Sequence, residues 1–541
     1  MPAEAVAEEA DAGAIGATAE GRRAAGRGAD ADDRGSSFSA LAKRDVWAVG
    51  TAFALLLAIG LAQHEMWRDE LQAWMLAKNS ATPAALLANM RYEGHPALWH
   101  LLLFPLAHAF ASPVAMQVLH FAIAVAGVAA FLAWAPFPFA LRALFAVGYL
   151  PLFEYGVISR NYALALPLLW AVCRLWPAAG DEAPVASGRS RRWVALGVCL
   201  GVLANTNPYA WLLTAALLAA IAFDTWRDRA RRGEVAAAPT RPLAGAAIAA
   251  AGLALAFWQM VPPPDALYAE NVARWSAPRL YRVLGTVVTG YLPLPDWRTS
   301  TPWNSALVYR LPAPLLAGFA VAWLVAAWLL LDSRAARTLF TLGTGALLGF
   351  SYLRYIGWAR HHGHYFLVFV ACCWLAARRD DSEKDAHHRL RLAALGVLLV
   401  VHVAAAAWLY GADLRRPFSD AKAVAARLAA PPLAGLPVVG FPDAPLPAVA
   451  AYRGEPIASL ISGRPVPFVL WRAGGEPGLG VDAGCALFEE RTRRSGGALA
   501  FVAPPTTPPS LCRGLEARQV GDAPRPLVPS EQLATWRVTL R

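Results

Sequence analysis

Four stretches of the sequence gather side chains that can move a proton or grip an anion. In the run from His64 to Trp74, Asp69 and Glu70 stand side by side between Trp67 and Trp74. Adjacent carboxylates at a low-dielectric boundary repel, so one of them could keep a raised pKa suited to proton transfer. A second reading is compatible with the first: Asp69 followed by Gln72 fits a capping box opening a helix near residues 70–79. From Arg91 to Trp99, Gly94 and Pro96 end one helix and start the next, presenting Glu93 and His95, although a His-Pro turn also occurs for structural reasons alone. From Glu154 to Tyr162, Arg160 stands where an apolar helix begins. Its guanidinium is a planar fork matched to phosphate, or else it only reaches for the interface. The fourth run packs Arg354, Arg360, His361, His362 and His364 together. It reads as an anion site for a lipid phosphate, as a solvent-facing loop, or as a metal site with the three histidines as ligands.

The elements that position these clusters follow from composition. The chain has 541 residues, 57% hydrophobic and 16% charged, where soluble domains carry about 25% charged residues. A single soluble enzyme, a secreted disulfide scaffold and a mainly disordered chain are excluded. The net charge of +11 sits in short loops between apolar runs, the pattern of positive-inside membrane proteins and not of a nucleic-acid binder. Twelve apolar runs occur, at 46–63, 97–111, 113–134, 137–153, 160–176, 193–206, 209–224, 243–262, 311–331, 339–357, 364–378 and 391–411. Lys43 and Arg44 put the start of the first run inside, as a signal-anchor helix. The basic loops 177–192, 225–242 and 378–391 all lie inside only if one early run fails to cross. The weakest is 97–111: it is shorter than the roughly 20 residues a span needs, and it contains His100, Pro105 and His108. Eleven crossings, with this run as an interfacial helix on the outer side, place all four clusters outside.

Residues 1–42 read as a disordered cytoplasmic tail and 43–411 as the transmembrane domain. The proline-rich segment 412–541 reads as an outer α/β domain, with strand-like runs at Leu436–Phe441, Phe468–Trp471 and Ala498–Val502 and helical stretches at Ser419–Leu428 and Pro447–Tyr452. Cys485 and Cys512 can pair there if that side is oxidising. The outer loop 262–310 carries Tyr268, Trp275, Tyr281, Tyr291, Trp297 and Trp303, an aromatic layer for the interface or a cover for a cleft. Walker A and dinucleotide fingerprints are missing from the sequence, so nucleotide-driven transport and redox chemistry lose support.

The order of these features resembles the GT-C superfamily of integral-membrane glycosyltransferases. They are a first span, an outer acidic pair (Asp69, Glu70), Gly94-His95-Pro96 opening a short outer helix, and Arg160 with Tyr162 at a helix entrance. The likeness is greatest to proteins related to protein mannosyltransferases and to the aminoarabinose transferase acting on lipid A. It covers about residues 45–410, and Ala97 stands where the family often has a second proline. The resemblance implies an all-α polytopic bundle in the inner membrane that moves a sugar from a polyprenyl-phosphate donor to a lipid, glycan or protein acceptor on the outer face, with inversion at the anomeric carbon. It makes Asp69 the residue that activates the acceptor and Glu70 its supporting neighbour. Arg160, Arg354, Arg360, His361, His362 and His364 become candidates for the donor phosphate, and Arg68, Glu93, His95 and Tyr162 for substrate contact. A divalent cation is neither required nor excluded. A transporter or flippase of a lipid-linked glycan is the alternative, although transporters place their charged, broken helices nearer the bilayer midplane.

Overall fold

In a computed structural model the described residues are 44–177, 187–233, 240–267, 269, 272–378, 386–474, 481–509, 512–523 and 525–541. The expected disordered tail and Tyr268 lie outside them. The helices run α1 (Arg44–Gln63), α2 (Arg68–Lys78), α3 (Pro83–Asn89), α4 (Leu98–Ala109), α5 (Val114–Trp134), α6 (Phe139–Ala146) and α7 (Ala165–Leu175). Then follow α8 (Ser187–Ala204), α9 (Pro208–Arg231), α10 (Thr240–Met260), α11 (Ala277–Tyr291), α12 (Ala313–Leu330), α13 (Arg334–Leu353), α14 (Ala359–Ala377) and α15 (Ala386–Asp413). All eleven runs read as crossings are helical, and among the described residues seven helices are long and apolar enough to cross a membrane by length and composition. The run left out by the parity argument forms α4, whose 12 residues extend only about 18 Å, well short of the ~30 Å hydrocarbon core.

Two local features aim the site. After α6 the chain widens into a π-helix over Tyr149–Val157, and Gly156 is needed there because a Cβ would stand 2.4 Å from the Pro151 carbonyl oxygen. Such wide turns recur at functional sites because they redirect the chain; this one delivers Ser159 and Arg160. The second feature is α14, buried all round from Arg360 to Ala376, as its apolar run from Tyr365 onward requires. It packs against α7, α9, α11, α13 and α15 and carries Arg360–His364 on its first turns.

Elsewhere the bundle is sealed by close backbone approach. A Cβ on Gly197 of α8 would lie 2.2 Å from the Gly245 carbonyl oxygen of α10, and one on Gly252 would lie 2.4 Å from the Gly201 Cα. Small residues permit such contact between apolar helices. Gly197→Val should therefore separate the pair and lose about 1–3 kcal/mol, read as a lower melting temperature in detergent; an unchanged value would refute tight packing here.

The last part of the chain is α/β. Strands β1 (Val438–Gly440), β2 (Ala458–Ser459), β3 (Ala498–Ala503), β4 (Leu515–Gln519) and β5 (Ala534–Leu540) form one sheet in the order β2-β1-β3-β5-β4. The first two pairings are parallel and the last two antiparallel. Helices α16 (Ala421–Leu428), α17 (Leu446–Arg453) and α18 (Val481–Arg494) accompany it. Cys485 of α18 is joined to Cys512 by a disulfide. The expected strand at Phe468–Trp471 is absent: this segment runs along α2, where the Gln72 side-chain amide donates to the Val469 carbonyl (2.8 Å) and accepts from its N–H (3.1 Å). The amide thus takes the place of a neighbouring strand. One apolar core joins this α/β part to the outer helices, with Val424, Leu446 and Val449 packed among Met66, Trp74, Trp99 and Leu103.

Candidate active site

Asp69 sits in the first turn of α2 and receives two guanidinium groups on one oxygen. Arg160 Nη1 and Arg360 Nη2 each lie 2.9 Å from its Oδ2. Arg160 directly precedes the short 3-10 turn Asn161–Leu164, and Arg360 opens α14, so three segments far apart in sequence meet at one carboxylate. The Arg360 guanidinium also lies 5.6 Å over the Trp67 ring. Asp69 keeps 26% of its side chain exposed, against 13% for Arg160 and 9% for Arg360, so the cluster opens to solvent at the carboxylate. Burial alone would raise the Asp69 carboxyl, but Arg160, Arg360 and Arg68 outweigh it and hold it below the usual carboxylate range. The expected raised pKa from Asp69–Glu70 repulsion is therefore overturned for Asp69: each acid has cations or donors of its own.

Glu70 is fully buried and faces the other way. Its Oε1 accepts from the Ser159 N–H at 2.6 Å, and its Oε2 meets His64 Nε2 at 2.9 Å and the Trp67 N–H at 3.2 Å. The other ring nitrogen of His64 lies 2.9 Å from Asp413 Oδ2 at the end of α15. Helix α2 starts at Arg68 after Trp67, so Glu70, and not Asp69, closes the first turn. Asp69 has no capping duty. Catalysis by Glu70 itself would need exposure it lacks; its geometry is that of a support that ties Ser159, next to Arg160, to the start of α2. Trp67 and Trp74 are buried too: Trp67 packs edge-on to Trp303 at 5.0 Å, and Trp74 sits in the core shared with the α/β part.

The histidines of α14 diverge. His361 Nδ1 accepts the Trp358 N–H at 2.8 Å, so the neutral ring carries its proton on Nε2 and donates it to the Tyr162 hydroxyl at 2.9 Å. His362 meets Thr289 Oγ1 at 2.8 Å, and the buried His364 meets the His361 carbonyl oxygen at 3.1 Å. Among the described residues no three His, Cys, Asp or Glu side chains are arranged to hold a metal ion. His361 and His364, one turn apart, share the face packed on Tyr162 and Tyr209, His362 leaves toward Thr289, and each already has its own hydrogen-bond partner. Tyr162 is 1% exposed and stacks on Tyr155 at 5.7 Å. It braces His361 and does not line the opening, a correction to its expected substrate contact.

Arg354 does not reach Asp69. It lines a neighbouring cavity of about 630 Å³ with Arg279, Arg282, Asn304, Tyr309 and Tyr355. The cavity wall continues through Trp358 and Ala359 to the residue before Arg360. Three arginines and, among the described lining residues, no carboxylate make it attractive to an anion. Sequence reading missed Arg279 and Arg282. They belong to α11, an amphipathic helix inside the loop expected to be an interfacial layer or a cover, and that helix is anchored by its buried face from Val283 to Tyr291. Of the aromatic layer, Trp275 and Trp297 are exposed, whereas Tyr291 and Trp303 are buried. Trp303 donates its indole N–H to Glu154 Oε2 at 3.0 Å.

On the opposite flank, Gln72 lies one helical turn beyond Asp69 on the same face of α2. It donates to Glu93 Oε1 at 2.8 Å. Burial pushes the Glu93 carboxyl up to about 7 against that hydrogen bond. Gly94 takes the left-handed conformation the turn needs (φ 64°), and His95 Nδ1 donates to the Glu93 carbonyl oxygen at 2.7 Å. Burial, helped by the charge of Arg160, lowers His95 to about 4. It is thus neutral at pH 7, with Nε2 left as an acceptor. Arg68 turns away from the opening: its Nε pairs with Glu531 Oε1 at 3.1 Å, and its Nη2 donates to Ser530 Oγ at 3.2 Å. Arg68 therefore fastens the α/β part to α2 and is not a substrate contact.

No family model and no curated protein matches the chain. Among solved structures it is similar to ArnT from Cupriavidus metallidurans bound to undecaprenyl phosphate, with 14% identity and a TM-score of 0.49, over 91% of this chain and 98% of that one. The apo state of the same protein gives 14% identity and a TM-score of 0.49 over 90% and 97%.

Proposed function

We propose that the chain is a membrane glycosyltransferase that moves a sugar from a polyprenyl-phosphate donor to an acceptor at the outer face of the inner membrane. One observation carries this reading: a carboxylate, Asp69, held 2.9 Å from both Arg160 and Arg360 beside a cavity lined by three further arginines. A proton acceptor next to phosphate-matched donors is what displacement at a glycosyl phosphate requires. In this reading the eleven helical runs all cross, the N-terminus is cytoplasmic and the α/β domain lies outside.

Asp69 takes a proton from the acceptor as the acceptor attacks C1 of the sugar. Attack from the face opposite the phosphate inverts the anomeric carbon. Arg160 and Arg360 stabilise the negative charge growing on the departing carrier phosphate, and Arg279, Arg282 and Arg354 draw the anionic headgroup into the adjoining cavity. Glu93 and neutral His95, on the far side of Asp69, are placed to receive the acceptor. No step requires a metal. The reading is tested by incubating the purified full chain with a panel of lipid-phosphate sugars and following free carrier by mass spectrometry. Carrier release with at least one donor is expected; a panel of polyprenyl-phosphate hexoses and pentoses left intact would overturn it. A glycan flippase would move the lipid across liposomes without releasing carrier.

A further inference from the structure

The same Asp69 oxygen that should take the acceptor proton is occupied by both guanidinium groups. Held this way it is a weak base, because two cations stabilise its ionised form. Arg68 cannot relieve the contact, since it is committed to Glu531 and Ser530. Among the described residues no second carboxylate lies at ion-pair distance from Arg160 or Arg360, and the buried Glu154 acts on both only at longer range. Either can therefore exchange Asp69 for an arriving anion, and both lie close to the opening. The other ionisable neighbours acting on Asp69 are Glu93, His95, Tyr355 and Glu531; none of them supplies a cation to replace the arginines at pH 7.

On the reading above, we propose that the donor phosphate takes Arg160 and Arg360 away from Asp69, so that the base is released only after the donor is seated. The resting ion pairs are then a latch that orders the reaction, donor first and acceptor second. In the step that follows, the acceptor O–H bond breaks and its proton passes to Asp69 while the acceptor oxygen bonds to C1. The bond from C1 to the phosphate oxygen breaks, and its electron pair leaves with the carrier phosphate, which the two arginines then hold. Loss of the carrier returns the arginines to Asp69 and the proton to solvent.

The latch makes Asp69 a competitor of the phosphate, which gives it a test apart from activity. Binding of polyprenyl phosphate to the full chain in nanodiscs is measured by intrinsic tryptophan fluorescence for wild type, Asp69→Asn and Asp69→Ser. Both variants should bind about tenfold more tightly than wild type, the equivalent of about 1.4 kcal/mol, because the arginines no longer have to be removed from a carboxylate. Arg160→Gln should bind more weakly. Equal affinities in wild type and both Asp69 variants would overturn the latch and leave the glycosyltransferase reading standing. No measurable binding in any of the four proteins would instead remove the reading on which the latch rests. Two replacements of different size guard against one that fails to insert, and wild-type and Arg160→Gln binding remain informative if both fail.

Discussion

Asp69→Asn should reduce turnover by roughly a thousandfold or more, within the 10² to 10⁴ range that positioned general bases contribute, with expression and membrane insertion near those of wild type. Asparagine keeps the shape and can still receive a hydrogen bond, so the loss reports the missing proton acceptor and not a collapsed site. Asp69→Glu should retain part of the activity, because the carboxylate survives at a longer reach. Arg160→Gln and Arg360→Gln should each reduce turnover by about 10²-fold or more, the size seen when a donor to a developing oxyanion is removed. The pair is expected to be non-additive, since both guanidinium groups serve one charge. The measurement is carrier release under saturating donor with the amount of inserted protein normalised. Undiminished turnover in Asp69→Asn would rule out Asp69 as the base.

Why Asp69, Arg160 and Arg360 could be singled out from the sequence, and the partners of the residues around them could not, is a matter of distance along the chain. Polar residues at the edges of apolar runs are visible locally, and charge parity between the basic loops puts those edges on one side. The cluster then assembles because its members share a face of the bundle. The roles assigned to their neighbours were less legible. Asp69 with Gln72 has the spacing of a capping box, but the helix begins two residues earlier, and Glu70 closes it instead. Gln72 is then spent on Glu93 and on Val469, 397 residues away. Arg68 looks like a substrate contact until Glu531, 463 residues on, fills it. Local spacing carries no trace of such partners. The histidines of α14 illustrate the converse error. Their density suggested a shared phosphate site, with metal ligation as an alternative, whereas His361 and His364, three residues apart, pack on Tyr162 and Tyr209 while His362 turns to Thr289. The arginines of α11 were hidden because an amphipathic helix inside a long loop has neither the length of a span nor a cluster of like residues.

The largest effect on stability is expected at His64. Both of its ring nitrogens lie 2.9 Å from carboxylate oxygens, those of Glu70 and Asp413, and a ring that donates at both nitrogens is an imidazolium. Burial alone would lower its pKa, but the two carboxylates more than reverse this and raise it from 6.5 to about 10. A folded-state value above the unfolded one means that folding takes up a proton. The stabilisation is therefore complete below about pH 6.5, the unfolded value, and disappears as the pH rises through about 10. Above that, two buried carboxylates face a neutral ring, and the clasp joining the ends of α1 and α15 to the start of α2 is lost. His64→Ala should reproduce that state at neutral pH and cost about 3–5 kcal/mol, the usual consequence of leaving a buried charge without its partner. The effect should reach the active site, because Glu70 also fixes the Ser159 N–H next to Arg160. Melting temperatures of detergent-solubilised wild type should fall between about pH 6.5 and 10 by more than those of His64→Ala, whose profile should be nearly flat in that window apart from general alkaline loss. Parallel profiles for the two proteins, or an alanine variant as stable as wild type at pH 7, would show that the charged clasp does not hold these three helices together.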